Sequence, residues 1–213
     1  MDHVAMNIEA QVLIVDDDAR LRDSVSVLLS TANITTVSFA SAEEFWNSEE
    51  SRQPACVLLD VRLPGMSGIE LLEHFNDAAS RHIVVIITGH GDIPMAVAAM
   101  RAGAFHFAEK PFDPEAFLSI VSEALARVAK LVDTMEQSRE NAERYASLSA
   151  REKQVLDLLV EGLPSKIIAY DLGISTRTAE HHRAAVMSKM AAKSLSQVVR
   201  MALDLRPRSV AMP

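Results

Sequence analysis

Three consecutive aspartates, Asp16, Asp17 and Asp18, follow the apolar run QVLIV (11–15), and a fourth, Asp60, closes ACVLLD (55–60). Thr88 closes IVVIIT (83–88), and Lys110, followed by Pro111, comes directly after HFAE (106–109). One Asp after an apolar run is a common turn residue or helix cap, and Asp18 taken alone reads that way. The set taken together implies more. Carboxylates brought within about 4 Å repel by about 4 kcal/mol per pair at an effective dielectric near 20. Such a cluster needs a cation, and all-oxygen ligands favour Mg2+ over zinc or copper. A carboxylate there can serve as a nucleophile towards a phosphoryl group. The metal, a Lys ammonium and a hydroxyl donor then stabilise charge on the phosphoryl oxygens. These residue types form a complete set for aspartyl phosphorylation.

The elements that must position them alternate. Short β-like runs at 11–15, 35–39, 55–59, 83–88 and 106–109 are separated by segments of helical spacing, such as Leu21, Val25, Leu28 and Leu29, or Val97, Met100 and Ala104. Strands apolar throughout, alternating with helices, predict a parallel sheet covered on both faces. In such folds the working site lies at the carboxyl ends of the strands, where four of the five runs deliver a polar or charged residue.

From Pro114 a long helical pattern runs through Phe117, Val121, Leu125, Val128, Leu131, Val132 and Met135, then turns polar over 136–147 without Gly or Pro. This reads as a final domain helix continuing into a mostly helical linker; pairing with a second copy is disfavoured because the apolar seam fades after Met135. Beyond it, Ser149-x-x-Glu152 forms a capping box opening a helix with Val155, Leu156, Leu159 and Val160. Gly162 and Pro164 end that helix, Gly173 supplies a turn after the second, Ser175 caps a third, and a fourth starts at Ser194. Two helices joined by a short Gly-containing turn match the helix-turn-helix pattern.

The chain has 213 residues, 49% hydrophobic and 23% charged, with a formal net charge of -8. That average hides a split. Residues 1–147 carry 11 Lys/Arg and 23 Asp/Glu, whereas 148–213 carry 10 Lys/Arg and 6 Asp/Glu. An acidic part and a basic part imply two modules with different partners. The longest apolar runs fall far short of a membrane span, so no membrane partner is expected. The first ten residues show no basic-then-apolar leader, which predicts a cytoplasmic protein. The lone Cys56 excludes a disulfide framework and a cysteine-built metal site. TGHGD (88–92) lacks the Gly-Lys-Ser/Thr of a phosphate-binding loop, and His90 beside the site reads as a loop residue rather than a base.

VLIVDDD, VLLDVRLPGMSGIELL, VIITGHGDIPMAVAAMRAGA and FAEKPF together resemble the receiver domain of bacterial two-component response regulators, across residues 10–128. The resemblance implies a flavodoxin-like, doubly wound, five-stranded parallel α/β sheet. It makes Asp60 the phosphoacceptor, with a sensor histidine kinase as donor. It gives Mg2+ to Asp16, Asp17 and Asp60 with the backbone carbonyl of Arg62. Thr88 and Lys110 then contact the phosphoryl group, and the Lys110–Pro111 peptide is expected to be cis. Phe107 takes the switch-aromatic position, as Phe where relatives more often have Tyr. The face of the fourth helix and fifth strand, with Val97, Arg101 and Phe107, is expected to form a homodimer on phosphorylation.

Residues 148–206, after a helical linker at 129–147, resemble the all-α, four-helix DNA-binding domain of NarL/FixJ (LuxR-type) regulators. The third helix is expected to enter the major groove of double-stranded promoter DNA. Ala179, Val186 and Met190 share one face, assigned to the core. Arg177, Glu180, His181, Ala184 and Ser188 lie towards the opposite face and are expected to look into the groove. Lys166, Thr176, Thr178, Arg183, Lys189 and Lys193 are placed to meet phosphates, which position without reading sequence. Many relatives have Val where Ala179 stands and a basic residue where Glu180 stands; Glu180 either accepts from cytosine N4 or stays solvated, and with His181 and Ala184 beside it no target sequence follows. The tail RPRSVAMP (206–213) reads as disordered.

These readings converge on a phosphorylation-gated transcriptional regulator, not an enzyme beyond its own phosphorylation. An aspartyl-phosphate phosphatase using Asp16 and Asp18 is the alternative from the enzyme class, but it leaves Asp60 and the basic module unexplained. A ligand-gated LuxR-like regulator is a third reading; it calls for a largely apolar pocket rather than the Asp/Thr/Lys set.

Overall fold

The computed structural model describes residues 11–77, 81–89 and 93–205. Residues 90–92, with His90, and the tail 206–213 lie outside the described residues. The chain divides into two compact units, Met1–Val132 and Asp133–Pro213.

The first unit is built on β1 (Val12–Val15), β2 (Thr36–Phe39), β3 (Ala55–Asp60), β4 (His82–Thr88) and β5 (His106–Glu109). They form one fully parallel sheet in the order β2-β1-β3-β4-β5. The helices between them are α1 (Ala19–Ser30), α2 (Ala42–Asn47), α3 (Gly68–Asp77) and α4 (Ile93–Arg101), with a single 3-10 turn at Glu50–Arg52. α5 (Pro114–Ala146) follows β5.

The uniform apolarity of the central strands has a direct cause, because successive side chains enter two different cores. Leu13 and Val15 of β1, with Val57 and Leu59 of β3, pack against Phe45, Leu71, Phe75 and Ala99. Val12 and Ile14, with Cys56 and Leu58, pack on the other face against Val25, Leu29, Phe117, Val121, Ala124 and Val128. Neither face of β1 or β3 meets water, so neither strand carries an alternating polar residue. β1 pairs with both β2 and β3, which places the reversal of strand order between the ends of β1 and β3. Asp16 and Asp60 stand at those ends.

α5 is one continuous helix of 33 residues. The segment expected as linker, 129–147, is its C-terminal part together with Ser147. Within the second unit, Asn141 and Leu148 are buried and Tyr145 packs against the core. The remaining helices are α6 (Ala150–Val160), α7 (Ser165–Asp171), α8 (Thr176–Lys189) and α9 (Leu195–Leu205). Both halves of the Ser149/Glu152 capping box are formed at the start of α6. Gly162 and Gly173 adopt positive φ at the two turns where helices end. Val155, Leu156 and Leu159 pack with Ala179, Val186, Met190 and Val198 in a single core. No helix among the described residues is long and apolar enough to cross a membrane.

Candidate phosphoacceptor site and DNA-reading helix

Asp16 leaves β1 buried, at 1% exposure, and Asp60 ends β3 at 8%. Carboxylate oxygens of Asp16, Asp17 and Asp60 come within 4.8 Å of one another. The Lys110 ammonium reaches across from the end of β5 and donates to Asp16 Oδ2 and Asp60 Oδ2, each at 2.7 Å. Burial alone lowers the Lys110 pKa, but the hydrogen bonds and charges of the two aspartates outweigh it and hold it above the ordinary lysine value. On Asp16 burial is the largest influence. It leaves that carboxyl above the usual aspartate range despite hydrogen bonds from Lys110 and the Asp18 amide. The Lys110 amide donates to the Thr88 carbonyl, 2.7 Å, which fixes the end of β5 beside the end of β4. Thr88 is buried, and its hydroxyl donates to the Gly89 carbonyl at 3.3 Å. The Lys110–Pro111 peptide is cis.

Asp18 is the N-cap of α1, its Oδ1 accepting from the amides of Arg20 and Leu21, which is the role expected of it alone. The loop after β3 turns on the Arg62 amide, which donates to Asp60 Oδ1 at 2.9 Å. Val97 (45%), Phe107 (41%) and Arg101 are all exposed.

Three contributors were not legible beforehand. Arg22, one turn into α1, donates from Nη1 to the Asp16 carbonyl at 2.5 Å and ties the acidic loop to its helix. Glu43 of α2 accepts from the Met66 amide at 2.8 Å and holds the outer part of the loop after Asp60. Gly68 opens α3 so close to β3 that a Cβ there would lie 2.1 Å from the Asp60 carbonyl oxygen. Only the glycine left a trace in the sequence, in the motif PGMSG; the other two depend on contacts that periodicity does not reveal.

In the second unit, α8 buries Ala179 and Val186, with Met190 at its C-cap, as its helical pattern predicts. Arg177, Glu180, His181, Ala184 and Ser188 are exposed on the same helix, as are Thr176 on α8, Lys166 on α7 and Lys193 before α9. Arg183 is half-buried, and the half-buried Thr178 shares a 2.8 Å hydroxyl contact with Ser175, the N-cap. Lys189 differs from the expectation of an open phosphate contact. Its Nζ lies 2.7 Å from Oε2 of Glu152, a side chain only 8% exposed.

This geometry agrees with what comparison with known proteins finds. Residues 12–122 match the response regulator receiver domain, and residues 146–202 match the luxR family of bacterial regulatory proteins. The transcriptional regulatory protein FixJ of Azorhizobium caulinodans is 45% identical over 192 residues, covering 90% of this chain and 91% of that one. The chain belongs to the NarL/FixJ family of response regulators. The structure of the response regulator StyR superposes with a TM-score of 0.78 at 38% identity, over 92% of this chain and 98% of StyR. Full-length FixJ from B. japonicum gives 0.56 at 40% identity, over 92% and 97%. A NarL/FixJ regulator is a phosphorylation-dependent transcriptional regulator: its receiver domain implies a partner kinase, and its luxR-type domain binds DNA.

Proposed function

We propose that Asp60 is the residue that accepts the phosphoryl group. The observation carrying this reading is the Lys110 ammonium spanning Asp16 and Asp60 at 2.7 Å each, at the reversal of strand order. An oxygen of Asp60 attacks phosphorus of a phosphohistidine on the kinase; the new O–P bond forms as the N–P bond breaks, and the imidazole leaves with the electron pair. Lys110 then turns from its carboxylate partners to a phosphoryl oxygen, and the Thr88 hydroxyl donates to another.

The donor set is entirely hard oxygen and carries excess negative charge, which fits Mg2+. Asp16, Asp17 and Asp60 would hold the ion, with the Arg62 carbonyl. Bound there, it would neutralise charge on the transferring phosphoryl oxygens. Labelling with acetyl phosphate and Mg2+ tests the assignment: Asp60→Asn abolishes uptake. If Asp16→Asn abolished it and Asp60→Asn did not, the phosphatase-like reading would replace this one.

Phosphorylation draws Thr88 and Phe107 towards the site and recruits the exposed face of Val97, Arg101 and Phe107 to a homodimer. Beryllofluoride with Mg2+ should raise the dimer fraction in sedimentation, and an unchanged profile refutes this route. On DNA, α8 presents Arg177, Glu180, His181, Ala184 and Ser188 to base edges, while Lys166, Thr176, Thr178, Arg183 and Lys193 approach phosphates. With about three cationic phosphate contacts per copy, from Lys166, Arg183 and Lys193, log K falls with log salt at a slope near -2.7, and near -5.4 for the dimer. Doubling that attraction is how pairing makes affinity depend on phosphorylation. A DNA-bound regulator of this kind works in the cytoplasm.

A further inference from the structure

α8 must enter a groove at one angle, so whatever fixes that angle contributes to recognition without touching a base. Two adjacent residues in the first turn of α6 hold it near both ends. Arg151 donates from Nη2 to the carbonyl of Leu172, the C-cap of α7 just before the turn into α8. Glu152 takes the ammonium of Lys189, the last residue of α8, at 2.7 Å. The same Oε2 of Glu152 accepts the Ser149 amide at 2.7 Å, so the carboxylate is itself fixed by the capping box.

We infer that Arg151 and Glu152 are positioning residues that clamp the recognition helix, and that Lys189 belongs to this clamp instead of gripping a DNA phosphate. Chemistry favours that division. One phosphate contact contributes about fivefold in affinity at 0.15 M salt, through a counterion released. Swinging Lys189 out to a phosphate would strip a buried carboxylate of its only cationic hydrogen-bond donor among the described residues, a loss that a solvated contact does not offset. The Lys189 side chain is 42% exposed although its ammonium is held by Glu152, so exposure alone misassigns it.

Salt titrations of DNA binding by the full-length phosphorylated protein separate the two roles. Lys189→Met is expected to weaken binding by the same factor at every salt concentration and leave the slope of log K against log salt unchanged. Lys189→Arg keeps charge and reach and restores affinity. Glu152→Gln is expected to weaken binding as well, and the double variant to be no weaker than either single one. A slope reduced by about 0.9 in Lys189→Met would overturn the inference. So would a gain in affinity in Glu152→Gln, the result of freeing Lys189 for DNA. If Glu152→Gln is unfolded at the assay temperature, the Lys189→Met slope decides alone. The inference rests on α8 as the reading helix; failure of that premise would show as Arg177→Ala leaving binding intact, whereas failure of the clamp shows only in the slope.

Discussion

Replacing Lys110 with Met removes the positive charge between two buried carboxylates while nearly preserving volume, so the consequence is electrostatic rather than a cavity. The ammonium sits 2.7 Å from both Asp16 and Asp60, whose side chains are 1% and 11% exposed, and is itself 22% exposed. Breaking a buried pair costs about 3–5 kcal/mol. A limit is set by proton uptake: neutralising an ordinary aspartate at pH 7 costs about 4 kcal/mol. Asp16, whose carboxyl burial already pushes up, costs less. Allowing for the partial exposure of Lys110, a loss of about 2–3 kcal/mol is expected. For a unit of this size that lowers the midpoint by roughly 10 °C.

The same reasoning predicts how Mg2+ acts. A cation at tenfold its Kd stabilises by about 1.4 kcal/mol. Wild type already holds an ammonium against two of the three carboxylates, so the variant should gain more from Mg2+ than wild type does. Trp46, the only tryptophan, lies in the receiver unit, and its fluorescence follows that unit alone during urea unfolding. The measurement is made in EDTA and again with Mg2+. A Lys110→Met variant as stable as wild type in EDTA, or one stabilised by Mg2+ no more than wild type, refutes the argument.

Gly68→Ala forces a Cβ to within 2.1 Å of the Asp60 carbonyl oxygen unless α3 shifts. It should cost about 1–3 kcal/mol by Trp46 fluorescence and slow phosphorylation by acetyl phosphate. In the second unit, hydrogen bonds from Lys189 and the Ser149 amide pull the Glu152 carboxyl down to about 2. A carboxyl depressed in the folded state stabilises fully above its unfolded value near 4.5 and loses that contribution as pH falls towards about 2. Hydrogen exchange of α6 and α8 should therefore accelerate across that window, beyond the intrinsic pH effect, and Glu152→Gln should flatten the change. A fragment starting at Asp133 should be about 1–2 kcal/mol more stable to heat than one starting at Leu148, which lacks the cover of Tyr145 and its cation contact with Lys153. Equal melting points would show that this stretch of α5 is only a tether.

The acidic site was legible because a parallel sheet does the assembling. Once the strands are recognised from their apolar runs, topology carries Asp16, Asp60, Thr88 and Lys110 to one edge, however far apart they lie in the chain. The specific ion pairs were less accessible: nothing in the spacing says that Lys110 rests on Asp16 and Asp60 rather than in solvent. That choice depends on the charge and geometry of the assembled cluster, which no single stretch of sequence carries.

The helical unit was legible in a different way. Periodicity correctly placed Ala179, Val186 and Met190 in the core, and the capping box located the start of α6. Yet a helical pattern sorts residues only into inward and outward. Lys189 is outward by spacing, and its ammonium is claimed by a carboxylate 37 positions earlier, on another helix. The net charge of the second unit therefore overstates what is available to DNA. Of its basic side chains, Lys189 balances an internal acid and Arg151 holds a turn, so the attraction to phosphates must come from the others. Charge distribution reveals that a module binds a polyanion; which cations do the binding is decided by those the fold has already claimed.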